Sequence, residues 1–180
     1  RQRQMCIRDR LLSVVSSELR LGFKLAPVQR LCFFELSMTA ISTSQAQAML
    51  HTMADMQEQH NVLVHPQWRE QGFEFYRAMW VECAEMLDHF GWKWWKQQTP
   101  DIDQVKLELV DIWHFALSEL MRERAIDPSV AEQLATVSVD KATDPEGFRL
   151  AIETLAAACL STRSIDLSAF CAAMAALPMD

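Results

Sequence analysis

Two pairs of acids constrain this chain more than any other feature in it. Glu82 and Glu85 lie in WVECAEMLDHF, and Glu108 and Asp111 lie in VKLELVDIWHF. The acids of each pair are three positions apart, which on a helix places both carboxylates on one face, about one turn from each other. The surrounding residues support two helices. Phe75, Tyr76, Met79, Trp80, Cys83, Met86, Leu87 and Phe90 form a broad apolar stripe, and Glu82 sits at its edge between Met79 and Met86. The second segment is apolar round most of its circumference from Val105 to Leu120, the mark of a largely buried helix. Glu108 and Asp111 open an acidic gap in it. Buried carboxylates must be paired, neutralised or bound to metal, and no run of Lys or Arg on this helix offers to pair them. Packed antiparallel, the two helices would aim four carboxylates at one point. Such a group repels itself unless a cation sits among its members. Mg²⁺ is suited to the place, being a hard ion that takes oxygen ligands and is completed by water and substrate phosphates. A single ExxE pair is commonplace on solvated helix faces; the weight comes from the second pair, set inside an apolar helix.

Composition agrees with a helical reading. The chain has 180 residues, half of them apolar, with only four Gly and six Pro, so one all-α domain with a sizeable core is expected. The net charge of −7 argues against a sequence-independent nucleic-acid binder. Five cysteines, odd in number and without a CxxC, read as reduced thiols in a cytoplasmic protein. No run of about 18 apolar residues offers a membrane span.

Taken in order, Ser44 to Asn61 has helical spacing in Met49, Leu50, Met53 and Met56, and ends with Gln57, His60 and Asn61. Gln57 and Asn61 share a face, and by their chemistry alone they are surface amides. His60 is expected to cap or pack rather than to ligate. Val62 to Gly72 reads as a loop broken by Pro66, with Trp68 as a packing anchor. The first acidic helix follows from Phe73 to Phe90, with Gly91 as its C-cap. The run Trp92-Lys93-Trp94-Trp95-Lys96 comes next. Its indoles fill core or a subunit interface in one reading; in the other an indole walls a base pocket, with Trp94 the choice, while Lys93 or Lys96 meets phosphate. Thr99-Pro100-Asp101 starts the second acidic helix, which extends to Arg124. His114, one turn beyond Asp111, is expected to be a satisfied core or surface histidine rather than a partner of the acids. Asp127-Pro128, Asp144-Pro145 and Asp166 each signal a helix start, for helices over 130–137, through Leu160, and over 167–177.

The pattern ECAEMLDHFGWKWWK followed by VKLELVDIWHF resembles the dimeric all-α dUTP diphosphatases of the all-α nucleotide pyrophosphatase superfamily. Glu82 and Glu108 are 26 positions apart, and the likeness is strongest from Met49 to Met121. The resemblance implies a helical bundle that hydrolyses dUTP, with dUDP a further candidate, to dUMP and pyrophosphate. It implies Mg²⁺, or Mn²⁺ in its stead, held by Glu82, Glu85, Glu108 and Asp111, with Glu82 or Glu85 as the base that activates water. It implies that Gln57 and Asn61 read the uracil edge, as the amides of an L-Q-x-x-x-N motif in which Met56 here replaces Leu. It places nucleotide contacts in the stretch containing Lys93, Trp94 and Lys96, and it suggests a homodimer. Residues 1–37 are expected to be upstream sequence foreign to a domain that begins at Met38. The family's C-terminal segment, rich in Lys, Asn, Gly and Tyr, has no match before Asp180, so a truncation is expected. Two other functions stay open: a house-cleaning pyrophosphatase with another base preference, and a helical interaction module whose acids are solvated charge.

Overall fold

A computed structural model describes residues 41–123, 126–137 and 144–177. The expectation for residues 1–37 falls outside these. Among the described residues there are six α-helices and no strand: α1 (Thr43–Val64), α2 (Phe75–Phe90), α3 (Ile102–Glu123), α4 (Pro128–Ala135), α5 (Pro145–Thr162) and α6 (Leu167–Ala175), with a single 3₁₀ turn at Trp68–Glu70. The all-α expectation holds.

Every described helix but α2 begins where its sequence supplies a side-chain acceptor for orphan backbone N–H groups. Ser42 and Gln45 form a reciprocal capping box at α1. Asp127, Asp144 and Asp166 cap α4, α5 and α6, and Pro128 and Pro145 occupy first-turn positions that need no N–H. Gly91 ends α2 with φ of 96°, and its own N–H reaches Leu87. An added Cβ there would meet the Cβ of Gln98 at 3.0 Å, so both backbone and space favour glycine. Most boundaries agree with the sequence reading to within about two residues, and one departs further. The helix α1 runs a further turn through Val62, Leu63 and Val64, read above as loop, because nothing interrupts its ladder before Pro66.

The core forms around the α2–α3 pair. The helix α2 packs on α3 and α5, α1 packs on α3 and α4, and α6 closes over α5 and α4. Met79, Cys83 and Met86 of α2 and Val105, Ile112 and Ala116 of α3 are wholly buried, each large apolar side chain contributing about 1.5–3 kcal/mol. Trp113 stacks on Phe170 at 5.3 Å, and Phe90 meets Phe148 edge-on at 4.5 Å. Trp68 is buried as expected, and its ring carries Arg69, which is ion-paired to Glu58. Helix α3 is thus held from several sides, and its polar residues are fixed with it.

Candidate active site

From Leu107 to Ser118 the polar residues of α3 are Glu108, Asp111, His114 and Ser118, in an otherwise apolar run. Spacings of three, three and four keep them on one stripe. Glu108 and Ser118 are only 3% and 1% exposed. The stripe has two ends with different company.

At its first end it meets α2. Glu82, Glu108 and Asp111 each offer a carboxylate oxygen within 4.8 Å of the others, and Glu85, His89 and Glu108 form a second trio on the same criterion. All four acids singled out in the sequence therefore converge. Burial, then the charges of Asp111, Glu85 and Glu108, push the Glu82 carboxyl up to about 8, and a hydrogen bond between Glu82 and Glu108 adds to the effect. The donor set is carboxylate-rich and partly buried, and it fits a hard divalent cation. His89 was not singled out in the sequence, yet its Nε2 lies 3.3 Å from Glu108 Oε1. The signal was present, since His89 follows Glu85 by four and Glu82 by seven on one helix face.

The other end of the stripe meets α1. Gln57 and Asn61 are buried there, not the surface amides their chemistry alone suggests. Gln57 Nε2 donates to Asn61 Oδ1 at 2.9 Å and to Ser118 Oγ at 3.0 Å, and Asn61 Nδ2 donates to Ser118 Oγ at 3.0 Å. Ser118 passes its own hydrogen to His114 O at 2.9 Å. His114 Nδ1 lies 2.5 Å from Gln57 Oε1, so the tautomer with hydrogen on Nδ1 completes the set. Burial, and then His60, hold His114 down to about 4, so it is neutral near pH 7. His114 is the satisfied histidine expected of it, and His60 is half-buried. Ser118, the hub of this cluster, escaped the sequence reading, because a serine in an apolar run says nothing of which neighbour it meets.

The Trp/Lys stretch departs from one part of its reading, that its indoles fill the core. Trp92, Trp94 and Trp95 are 47%, 90% and 57% exposed, so none fills the core of this chain. The indoles instead meet one another edge-on, Trp92 against Trp95 and Trp94 against Trp95. The loop turns outward because it is pinned at both margins. Gln98 Oε1 accepts from the backbone of Trp92 at 3.0 Å and of Lys93 at 2.8 Å. Asp88 accepts from the Trp92 indole and from Lys93 Nζ, and those bonds, Lys93 first, hold its carboxyl below the usual range. Arg149 from α5 donates to Gly91 O at 2.8 Å. Lys93 is thus engaged by Asp88, whereas Lys96 is exposed.

Among the described residues no helix is long and apolar enough to cross a membrane. Residues 49–164 match a family model described as dUTPase. No curated protein and no solved structure matches the chain.

Proposed function

The chain belongs to the dUTPase family, and from that premise we propose that it hydrolyses dUTP to dUMP and pyrophosphate at the α2–α3 acid cluster, with Mg²⁺ as its cation and Mn²⁺ as a substitute. One observation carries the site: the carboxylates that crowd Glu82, and raise its carboxyl to about 8, share one polar stripe of α3 with the residues that bond a pair of buried amides. Glu82, Glu85, Glu108 and Asp111 would hold the cation, which when bound offsets phosphate charge and polarises a phosphoryl oxygen. The chain's own groups do the rest. Glu82 or Glu85 orients the attacking water and accepts its proton. Gln57 and Asn61 read the uracil edge, whose alternating acceptors and donor an amide can match on both sides. To do so they exchange hydrogen bonds now made within the cluster. Exposed Trp94 offers its indole face to the base. Lys96, and Lys93 once it exchanges Asp88, offer charge to the phosphates. The sequence is read as that of a homodimer, and exposed Leu63 and Val64 at the end of α1 are suitable interface material.

The test is calorimetric Mn²⁺ titration in the presence of a non-hydrolysable dUTP analogue, paired with a pyrophosphate-release assay. Glu108→Gln is expected to lose cation binding and to lower turnover more than about 100-fold, beyond the 10–100-fold typical of residues that merely support a metal ligand, at unchanged helicity. Retained turnover in that variant would remove Glu108 from the site. Comparable rates on dUTP, dCTP and dTTP would replace the uracil reading with the broader house-cleaning one.

A further inference from the structure

We infer that the acid cluster contains a second, chemically distinct cation subsite with a nitrogen ligand, made by Glu85, His89 and Glu108, which takes Zn²⁺ or Co²⁺ in preference to Mg²⁺. This rests on the acid cluster being a divalent-cation site, and adds to it a particular residue and a particular class of metal.

The geometry is specific. Glu85 and His89 are four apart on α2 and share a face. Glu108 reaches them from α3, with His89 Nε2 at 3.3 Å from its Oε1. One donor atom from each of the three lies within 4.8 Å of the other two. Donors held tetrahedrally at about 2.0–2.2 Å from one ion stand roughly 3.3–3.6 Å apart, the spacing His89 and Glu108 already have, so side-chain rotations of about an ångström close this set. A histidine beside a carboxylate is often only an ion pair. Here the donor set decides otherwise: one atom each from Glu85, His89 and Glu108 converges within 4.8 Å, a three-donor arrangement that a pairwise contact does not require. Glu108 is 3% exposed and draws little help from water.

The two trios differ in what they offer. Glu82, Glu108 and Asp111 present oxygen alone, the donor set of Mg²⁺ and Mn²⁺. Glu85, His89 and Glu108 add an imidazole, which favours Zn²⁺ and Co²⁺. Glu108 belongs to both, and a carboxylate has an oxygen for each of two ions. His89 is half-buried, leaving a solvent side through which an ion and its waters enter.

The test titrates Zn²⁺ and, separately, Mn²⁺ into the full chain by calorimetry, for the wild type, His89→Gln and Glu85→Gln. Helicity is followed by circular dichroism, and Co²⁺ is used as a visible-absorption probe. The ratio of Zn²⁺ to Mn²⁺ affinity should fall at least about tenfold in His89→Gln, and the Co²⁺ spectrum should lose its nitrogen-ligand signature. Zn²⁺ binding should weaken in Glu85→Gln as well, which keeps the proposal testable if one variant folds poorly. An unchanged ratio and spectrum in His89→Gln would overturn this inference alone, provided Mn²⁺ binding still depends on Glu108. A folded wild type that binds neither ion would overturn both this inference and the catalytic reading beneath it.

Discussion

The two ends of the α3 polar stripe, Glu108 and Ser118, lie nearly three turns or about 15 Å apart, and they are satisfied in opposite ways. At the α1 end, Gln57, Asn61, His114 and Ser118 close on one another, each donor meeting an acceptor within this cluster. At the α2 end, Glu82, Glu85, Glu108 and Asp111 bring like charge to like charge, and Glu82 is driven to keep a proton. Amides and hydroxyls carry both donors and acceptors and can be self-sufficient when buried. Ionised carboxylates accept only, so a buried group of them is complete only with a cation or protons. The first cluster can therefore be assembled for stability and still be lent to a substrate. The second is assembled at the expense of stability, the usual sign of a functional site.

Glu82→Gln should break this contrast most sharply, with opposite signs on activity and stability. Turnover should drop more than about 100-fold, while the metal-free protein at pH 8 becomes more heat-stable, because a repelled carboxylate is replaced by a neutral isostere. A parallel loss of both, in an activity assay and a thermal melt, would mean that Glu82 serves packing rather than cation binding.

A pH series on the wild type in chelator sharpens the same point. The Glu82 carboxyl is raised from its ordinary value near 4.5 to about 8 in the folded protein. Between those values the unfolded chain has released a proton that the folded chain retains. Stability is thus greatest below about pH 4.5 with respect to this group, falls as pH rises towards 8, and levels off above. Added Mg²⁺ should flatten that slope, and Glu82→Gln should remove it. A melting temperature that rises steadily from pH 5 to 8 in chelator would contradict the crowding of these acids.

Gln57→Ala probes the self-satisfied cluster and should have the smallest effect of the three. It deprives His114 Nδ1, Asn61 Oδ1 and Ser118 Oγ of a partner, at a cost of about 1–3 kcal/mol, measurable by denaturant unfolding. It should also reduce the preference for dUTP over dCTP while leaving Mn²⁺ affinity intact. Weakened Mn²⁺ binding would show that the two clusters are not independent.

Much of this was legible in the residues. The periodicity of apolar side chains, the Asp-Pro caps and Gly91 placed the helices, because these signals are local and each helix satisfies its own backbone. The convergence of the four acids was also legible, since ExxE and ExxD spacing on two apolar helices leaves few other arrangements. Local signals fell short where the partner comes from far along the chain. Nothing near Gln57 or Asn61 announces Ser118, some sixty positions away, so two amides that look solvated are buried. His89 shared a face with Glu82 and Glu85, but its relation to Glu108 depends on how α2 meets α3. Trp92, Trp94 and Trp95 carry strong apolar signals, yet they lie outside the core because Gln98 and Asp88 turn their loop outward.

Helix positions, the all-α class and the acidic chemistry thus follow from residues close together in the chain, whose spacing sets the face they share. Which polar groups are buried, which of them complete one another and which crowd like charge together depend on the packing of α1 and α2 against α3. Hydrogen bonds and repulsion act over a few ångströms in space, whatever the separation along the sequence.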